Sequence, residues 1–178
     1  GMPGVTAWYG LVKILDPQAG QTVVVSAASG AVGSAFGALA RARGCRVVGI
    51  AGGEEKCAYV RDELGFDACI DYRANPNLKS MLSALKAACP NGIDGYFENV
   101  GGYLLDAVML RMNAFGRIAV CGMIAGYEGQ PVPMTNPTLI LVNRLRVEGF
   151  IVSEHMALWP QALKELSALV IEGKLHPR

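Results

Sequence analysis

The sequence predicts an α/β fold, a doubly wound parallel sheet of six strands, and three observations predict it. Short apolar runs rich in β-branched residues alternate with longer runs of helical periodicity along the chain. A small-residue turn, Ser26–Gly33, falls between the first such strand and the first helix that follows it. The composition is 52% hydrophobic and only 17% charged. Strands covered by helices on both faces have that composition, as does a chain whose apolar surface is normally covered by a partner. At 178 residues the chain is about one domain's worth.

The elements follow in order. Thr22–Ala27, "TVVVSA", is a buried strand, and the small-residue helix after it stops at Gly44. Cys45–Gly52 is the second strand. The helix "EEKCAYVRDELG" begins with Glu54 and Glu55, where the helix dipole favours negative charge. "DACIDY" is a short third strand, and Asn77–Ala88 a helix ending before Pro90, Asn91 and Gly92. Ile93–Val100 is a strand, "GYLLDAVMLRM" a helix and Gly116–Gly122 the fifth strand. Gly126–Pro137 is a Gly/Pro-rich loop and Thr138–Arg144 a helix. Arg146–Val152 is the sixth strand and Ala157–Glu172 an amphipathic closing helix. Right-handed crossovers make such strands parallel, and the order expected of the class is 3-2-1-4-5-6, the Rossmann fold.

The totals exclude several functions. Sixteen basic residues against 15 acidic give a net charge of +1 with no basic run, which argues against nucleic-acid or membrane-surface partners. No apolar run reaches the roughly 18 residues of a membrane span, and no signal peptide opens the chain. The five cysteines, Cys45, Cys57, Cys69, Cys89 and Cys121, contain no C-x-x-C pair. That pattern points to a reduced, cytoplasmic chain with no zinc knuckle, each cysteine serving as a small hydrophobe. His155 and His176 have no paired acid or ligand and are structural or exposed.

Aligned to G-x-G-x-x-G, Ala28 takes the first position, Gly30 the second and Gly33 the third. The segment Ala28, Ser29, Gly30, Ala31, Val32 and Gly33 is the candidate phosphate loop. Gly30 lets backbone approach a pyrophosphate, Gly33 lets helix pack on strand, and the helix N-terminus supplies donors. Alanine at the first position departs from the strict fingerprint, and a ligand-free tight turn is the competing reading. A site for NAD usually carries an acid at the tip of the second strand for the ribose 2′-hydroxyl. Here the tip is Ala51-Gly52-Gly53, which admits a 2′-phosphate with Lys56 to meet it, so the expected cofactor is NADP(H). Glu54 and Glu55 are the counter-indication, and Lys56 is also readable as a solvated surface lysine.

The strings "GMPGVTAW", "VVVSAASGAVG", "GGEEK", "IDY", "GIDGYFENVGG", "GRIAVCGMI" and "RVEGFIV" together resemble the cofactor-binding domain of the medium-chain dehydrogenase/reductase superfamily. They are most similar to its zinc-independent branch of prostaglandin reductases, leukotriene B4 dehydrogenase-like enzymes and alkenal double-bond reductases. The resemblance implies NADPH-dependent reduction of the carbon–carbon double bond of α,β-unsaturated ketones and aldehydes. It implies that Gly53, Lys56 and Tyr72 hold the 2′-phosphate end, and that Asn99, Cys121, Gly122 and Tyr127 line the cofactor pocket. On the residues alone, Tyr72 is equally a strand-end tyrosine, Asn99 a turn residue and Tyr127 a loop residue.

The same resemblance makes residues 1–178 a single NADP(H)-binding Rossmann domain, with the family's catalytic domain absent from the chain. No catalytic residue and no metal ligand is expected within it. The isolated chain is then expected to bind NADPH and to reduce enones poorly. A quinone reductase, an alcohol dehydrogenase of the same superfamily, or a non-catalytic NADPH-sensing module are the alternatives. The strand 146–152 is apolar and lightly charged, so a homodimer through that edge is expected.

Overall fold

The computed structural model describes residues 1–126 and 129–176. Its sheet has six strands, β1 (Thr22–Ser26), β2 (Arg46–Ala51), β3 (Ala68–Asp71), β4 (Ile93–Glu98), β5 (Met112–Val120) and β6 (Arg146–Gly149). They lie in the order β3-β2-β1-β4-β5-β6, and every neighbouring pair is parallel. The expected order is therefore the observed one.

Side chains alternate between two cores because successive strand residues point to opposite faces. Val23, Val25, Val47, Ala51, Phe97 and Ala119 face one layer. That layer contains α1 (Met2–Trp8), α2 (Ala31–Ala42), α3 (Glu54–Asp62) and α7 (Trp159–Ile171). Val24, Val48, Ile50, Ile70, Tyr96 and Ile118 face the other. There α4 (Leu78–Ala88), α5 (Tyr103–Arg111) and α6 (Thr138–Val142) cover the sheet. Burial on both faces is what the near-continuous apolar strands require.

Several boundaries differ from the sequence reading. The segment before Thr22, given no element in the sequence reading, is helical from Met2 through a π-helical stretch at Tyr9–Leu15. Trp8 and Leu11 on it are fully buried. Tertiary packing against Phe97 and α2 decides this helix, since its first residues include Gly1, Pro3 and Gly4. Strand β5 starts at Met112, four residues early, because a register shift between Ile93 and Gly95 lets Met112 pair before the ladder resumes at Arg117. Strand β6 is shorter than expected, as Val152–Leu158 winds into 3₁₀ turns before α7. Helix α4 is capped by Asn77, whose side chain accepts from the Ser80 amide at 2.9 Å.

Candidate functional site

The strand order reverses between β1 and β4, whose carboxyl ends open a crevice where ligands of such sheets bind. Ser26 ends β1, and Ala27 adopts a left-handed conformation (φ 53°) that turns the chain away from the sheet. Ala28 is fully buried and its amide donates to the Ile50 carbonyl at 3.1 Å, pinning the turn to the end of β2. Gly30 is the N-cap of α2, and no side chain caps that helix. The first-turn amides, Ala31 to Gly33, have no intrahelical acceptor by helix geometry and remain available to an anion.

The two glycines differ in kind. A Cβ on Gly33 would lie 2.5 Å from the Ala28 carbonyl oxygen and 2.7 Å from its Cα, so helix and turn touch there through bare backbone. A Cβ on Gly30 would meet only the Ala27 carbonyl, at 3.5 Å. Nothing among the described residues forbids a side chain at Gly30, and the open space in front of it has room for a phosphate group approaching backbone.

The crevice floor is polar. The Asn99 amide donates to Ser26 Oγ at 2.8 Å and Asn99 Nδ2 to the Ser26 carbonyl at 2.9 Å, fastening β4 to β1. The amides of Cys121 and Gly122 donate to the Glu98 carbonyl at 2.9 and 3.2 Å, and the Ile124 amide to that of Asn99 at 3.0 Å. Thus Ala28–Gly33, Asn99, Cys121 and Gly122 meet at one crevice. Tyr127 lies outside the described residues.

Beneath that floor is a cluster the sequence reading missed. Glu98 is fully buried, and Oε1 accepts from the amides of Val100 and Gly101. Its Oε2 and the Tyr96 hydroxyl are buried without a hydrogen-bond partner among the described residues, although that hydroxyl is near enough to Ser26 and Glu98 to be influenced by both. Burial pushes the Glu98 carboxyl up, and the Gly101 and Val100 amides offset part of that rise. Burial also pushes the Cys121 thiol up.

Gly53 and Lys56 lie at the start of α3, just beyond β2, and Tyr72 lies just beyond β3. The Tyr72 hydroxyl overhangs the strand tip, where a Cβ on Gly52 would be 2.6 Å from it. Gly53 has φ 102°, a conformation that disfavours any side chain. Its amide donates to Asp71 Oδ1 at 2.8 Å, and the Arg73 amide donates to the same oxygen at 2.9 Å. The Gly53 amide, with that of Arg73 beside it, holds the Asp71 carboxyl below its usual range. The acid nearest the β2 tip is thus occupied by backbone. Of the two acids that counted against NADP(H), Glu54 is exposed and pairs with Arg61 at 3.0 Å, and Glu55 is exposed. Lys56 is exposed and makes no ion pair among the described residues. A second cation went unnoticed in the sequence: Arg73 Nη1 would be 3.6 Å from a Cβ on Gly53. Its only signal was its place after Tyr72.

This is an open crevice with the uncapped start of α2 at its centre and two cations, Lys56 and Arg73, on the β2/β3 side. An apolar groove of about 380 Å³ adjoins the turn at Ala31 and runs between α1, the start of α2 and α7. No three His, Cys, Asp or Glu side chains among the described residues are grouped to hold a metal ion. No helix among them is long and apolar enough to cross a membrane.

Comparison with known proteins fits this arrangement. A family profile described as "Zinc-binding dehydrogenase" matches residues 31–168. The chain is 47% identical to prostaglandin reductase 1 of Mus musculus over 99% of its own length and 53% of that protein. It is 44% identical to a 2-alkenal reductase (NADP(+)-dependent) of Nicotiana tabacum, covering 98% of this chain and 50% of the relative. The crystal structure of CurA in complex with NADPH from Vibrio vulnificus superposes with a TM-score of 0.91 at 42% identity, over 100% of this chain and 54% of that one. The chain spans about half the length of the curated relatives it matches. It belongs to the zinc-binding dehydrogenase family, as a cofactor-binding domain of the medium-chain dehydrogenase/reductase superfamily.

Proposed function

We propose that this chain is the NADP(H)-binding domain of an oxidoreductase that reduces the carbon–carbon double bond of α,β-unsaturated ketones and aldehydes. The observation that carries the reading is the pairing of an uncapped α2 N-terminus at Gly30 with an acid-free β2 tip flanked by Lys56, Tyr72 and Arg73. The names of the prostaglandin and alkenal reductase relatives, and the NADPH complex of the Vibrio vulnificus relative, support the same chemistry.

Held by Ala28–Gly33, Lys56 and Tyr72, NADPH would supply the hydride for reduction of the enone's double bond. The chain's own part is to bind and orient. The amides of Ala31, Val32 and Gly33 receive the pyrophosphate, with Ala28 and Ser29 shaping the turn. Lys56 and the Tyr72 hydroxyl bind the 2′-phosphate beside Gly53. Asn99, fixed by its two bonds to Ser26, lines the crevice with Cys121 and Gly122, and Tyr127 is assigned to the same lining. Holding donor and acceptor at reacting distance is the main catalytic contribution expected of such a site.

Residues 1–178 form one domain on this reading, and enone reduction needs substrate-binding walls from a second, catalytic domain. The 178-residue chain should bind NADPH yet show no steady NADPH-dependent enone reduction; sustained turnover by the purified chain overturns that part. The reading also includes cytoplasmic location and a homodimer formed along β6, all four of whose residues are exposed.

Calorimetric titration with NADPH and NADH tests the cofactor assignment. NADPH should bind the more tightly, and Lys56→Ala should cost about tenfold or more in NADPH affinity, as expected for a charge-assisted phosphate contact. NADH affinity should stay unchanged in that variant. Equal affinities for the two cofactors, indifferent to Lys56→Ala, would refute it.

A further inference from the structure

Two of the five cysteines are not solitary. Cys57 lies one turn into α3, fully buried against the sheet, and Cys69 lies in β3, half-buried on the same side. Cys69 Sγ donates a hydrogen bond to Cys57 Sγ across 2.8 Å, closer than the ~3.5–4.0 Å of ordinary nonbonded contact. The remaining three thiols show no such pairing among the described residues. The spacing of twelve residues gave no hint of this. The pairing exists because α3 folds back over β3, bringing the first turn of the helix onto the middle of the strand.

We infer that Cys57 and Cys69 are a site of reversible oxidation, converted by hydrogen peroxide into an intramolecular disulfide that fastens α3 to β3. The half-buried Cys69 meets the oxidant first. Its thiolate sulfur attacks one peroxide oxygen, the O–O bond breaks and the departing oxygen leaves as water, giving a Cys69 sulfenic acid. Cys57 Sγ then attacks that sulfur, the S–O bond breaks and a second water leaves. In sum the two thiols lose two electrons and two protons, and the peroxide is reduced to two waters. A thiol reductant reverses the bond by exchange.

The location gives the bond its consequence. Cys57 follows Lys56 directly, and Cys69 stands three residues before Tyr72, so the bond would join the helix and strand that carry the two. The sulfurs need to close by only about 0.8 Å to reach disulfide length. The backbones at Lys56 and Tyr72 therefore keep their places, and the oxidised chain retains cofactor affinity while resisting unfolding better than the reduced one. Burial pushes both thiols above their ordinary range; the hydrogen bond between them lowers Cys57 and raises Cys69 further. Oxidation is consequently slow at neutral pH and quickens as pH rises. Only the affinity arm of the test below rests on the NADP(H) reading.

The purified chain is treated with a small excess of hydrogen peroxide at mildly alkaline pH, then alkylated and mapped under non-reducing conditions. The expected product is a peptide cross-linked between residues 57 and 69, an intact mass lower by two hydrogens, and full reversal by dithiothreitol. The oxidised form should melt at a higher temperature and bind NADPH within about threefold of the reduced form. In Cys57→Ser the cross-link disappears and Cys69 advances to sulfinic acid. A wild-type chain that gives sulfinic acid at Cys69, or a cross-link to Cys45, Cys89 or Cys121, overturns the inference without recourse to a variant. Loss of NADPH affinity on oxidation by more than about tenfold overturns the statement that the bond leaves the site in place. Failure of the reduced chain to bind NADPH would count against the proposed function, while the peptide map still decides the disulfide.

Discussion

Gly30 and Gly33, three residues apart in one turn, separate binding from folding. A methyl group at Gly33 must displace backbone of Ala28. Gly33→Ala is therefore expected to lose about 1–3 kcal/mol in urea unfolding, the usual range for overpacking. Gly30 has φ −79° and ψ 176°, which any residue adopts, and room for the methyl. Gly30→Ala should fold with its stability changed by less than about 0.5 kcal/mol, yet bind NADPH at least about tenfold more weakly. Equal binding by Gly30→Ala and the parent would remove Gly30 from the phosphate site. Glu98 adds a pH dependence. Its folded-state pKa is raised by burial, so its contribution is fully present below the ordinary carboxyl range and is lost as pH rises through the raised value. Glu98→Gln keeps an oxygen for the Val100 and Gly101 amides and removes the titration. The variant should gain stability relative to the parent as pH rises from the carboxyl range toward neutrality; parallel stability curves would contradict this.

Among the elements, α3 shows how a helix start can mislead. Glu54 and Glu55 stand where an NAD site's acid would be sought, but Glu54 is taken by Arg61 and the nearby acid Asp71 by the Gly53 and Arg73 amides. The element offers Lys56 to whatever approaches the β2 tip, with Glu55 exposed beside it. At the other side of the sheet, all four β6 residues are exposed, and the strand leads into Ile151, 63% exposed. Such an edge invites a copy of itself. If it is the dimer contact, Ile151→Lys should shift the mass measured by light scattering from dimer to monomer, leaving NADPH affinity unaltered. A parent chain that is monomeric at high concentration would sink the assignment.

Across the whole molecule, one carboxylate joins three helices. Glu165 of α7 accepts from Trp8 Nε1 of α1 at 2.7 Å and pairs with Arg43, just beyond α2, at 2.6 Å. Burial works to raise the Glu165 carboxyl, but the hydrogen bonds from Arg43 and Trp8 outweigh it and hold the group below its usual range. Stability from this tie is thus present above the ordinary carboxyl range and lost as pH falls through the lowered value. Glu165→Gln should lower the melting temperature at neutral pH, and its deficit should shrink on acidification. A deficit independent of pH would assign the effect to packing alone.

What the sequence by itself determined is whatever repeats or follows local rules. The period of apolar strands and helices dictated a parallel, doubly wound sheet, because strands buried on both faces must be apolar throughout. The turn Ala28–Gly33 was legible because small residues between strand and helix leave few alternatives, and the helix near Asn77–Ala88 because its periodicity is local. Resemblance, not pattern, singled out Tyr72, Asn99, Cys121 and Gly122. Tertiary structure alone decided what is distant in sequence: the burial of the opening helix under Phe97 and α2, the Ser26–Asn99 lock, the Glu98–Tyr96 cluster, Arg73 beside Gly53, and the Cys57–Cys69 contact. Each depends on strands or helices brought together by the order β3-β2-β1-β4-β5-β6. Residue periodicity specifies which face of an element is buried, but only the packed sheet specifies against what.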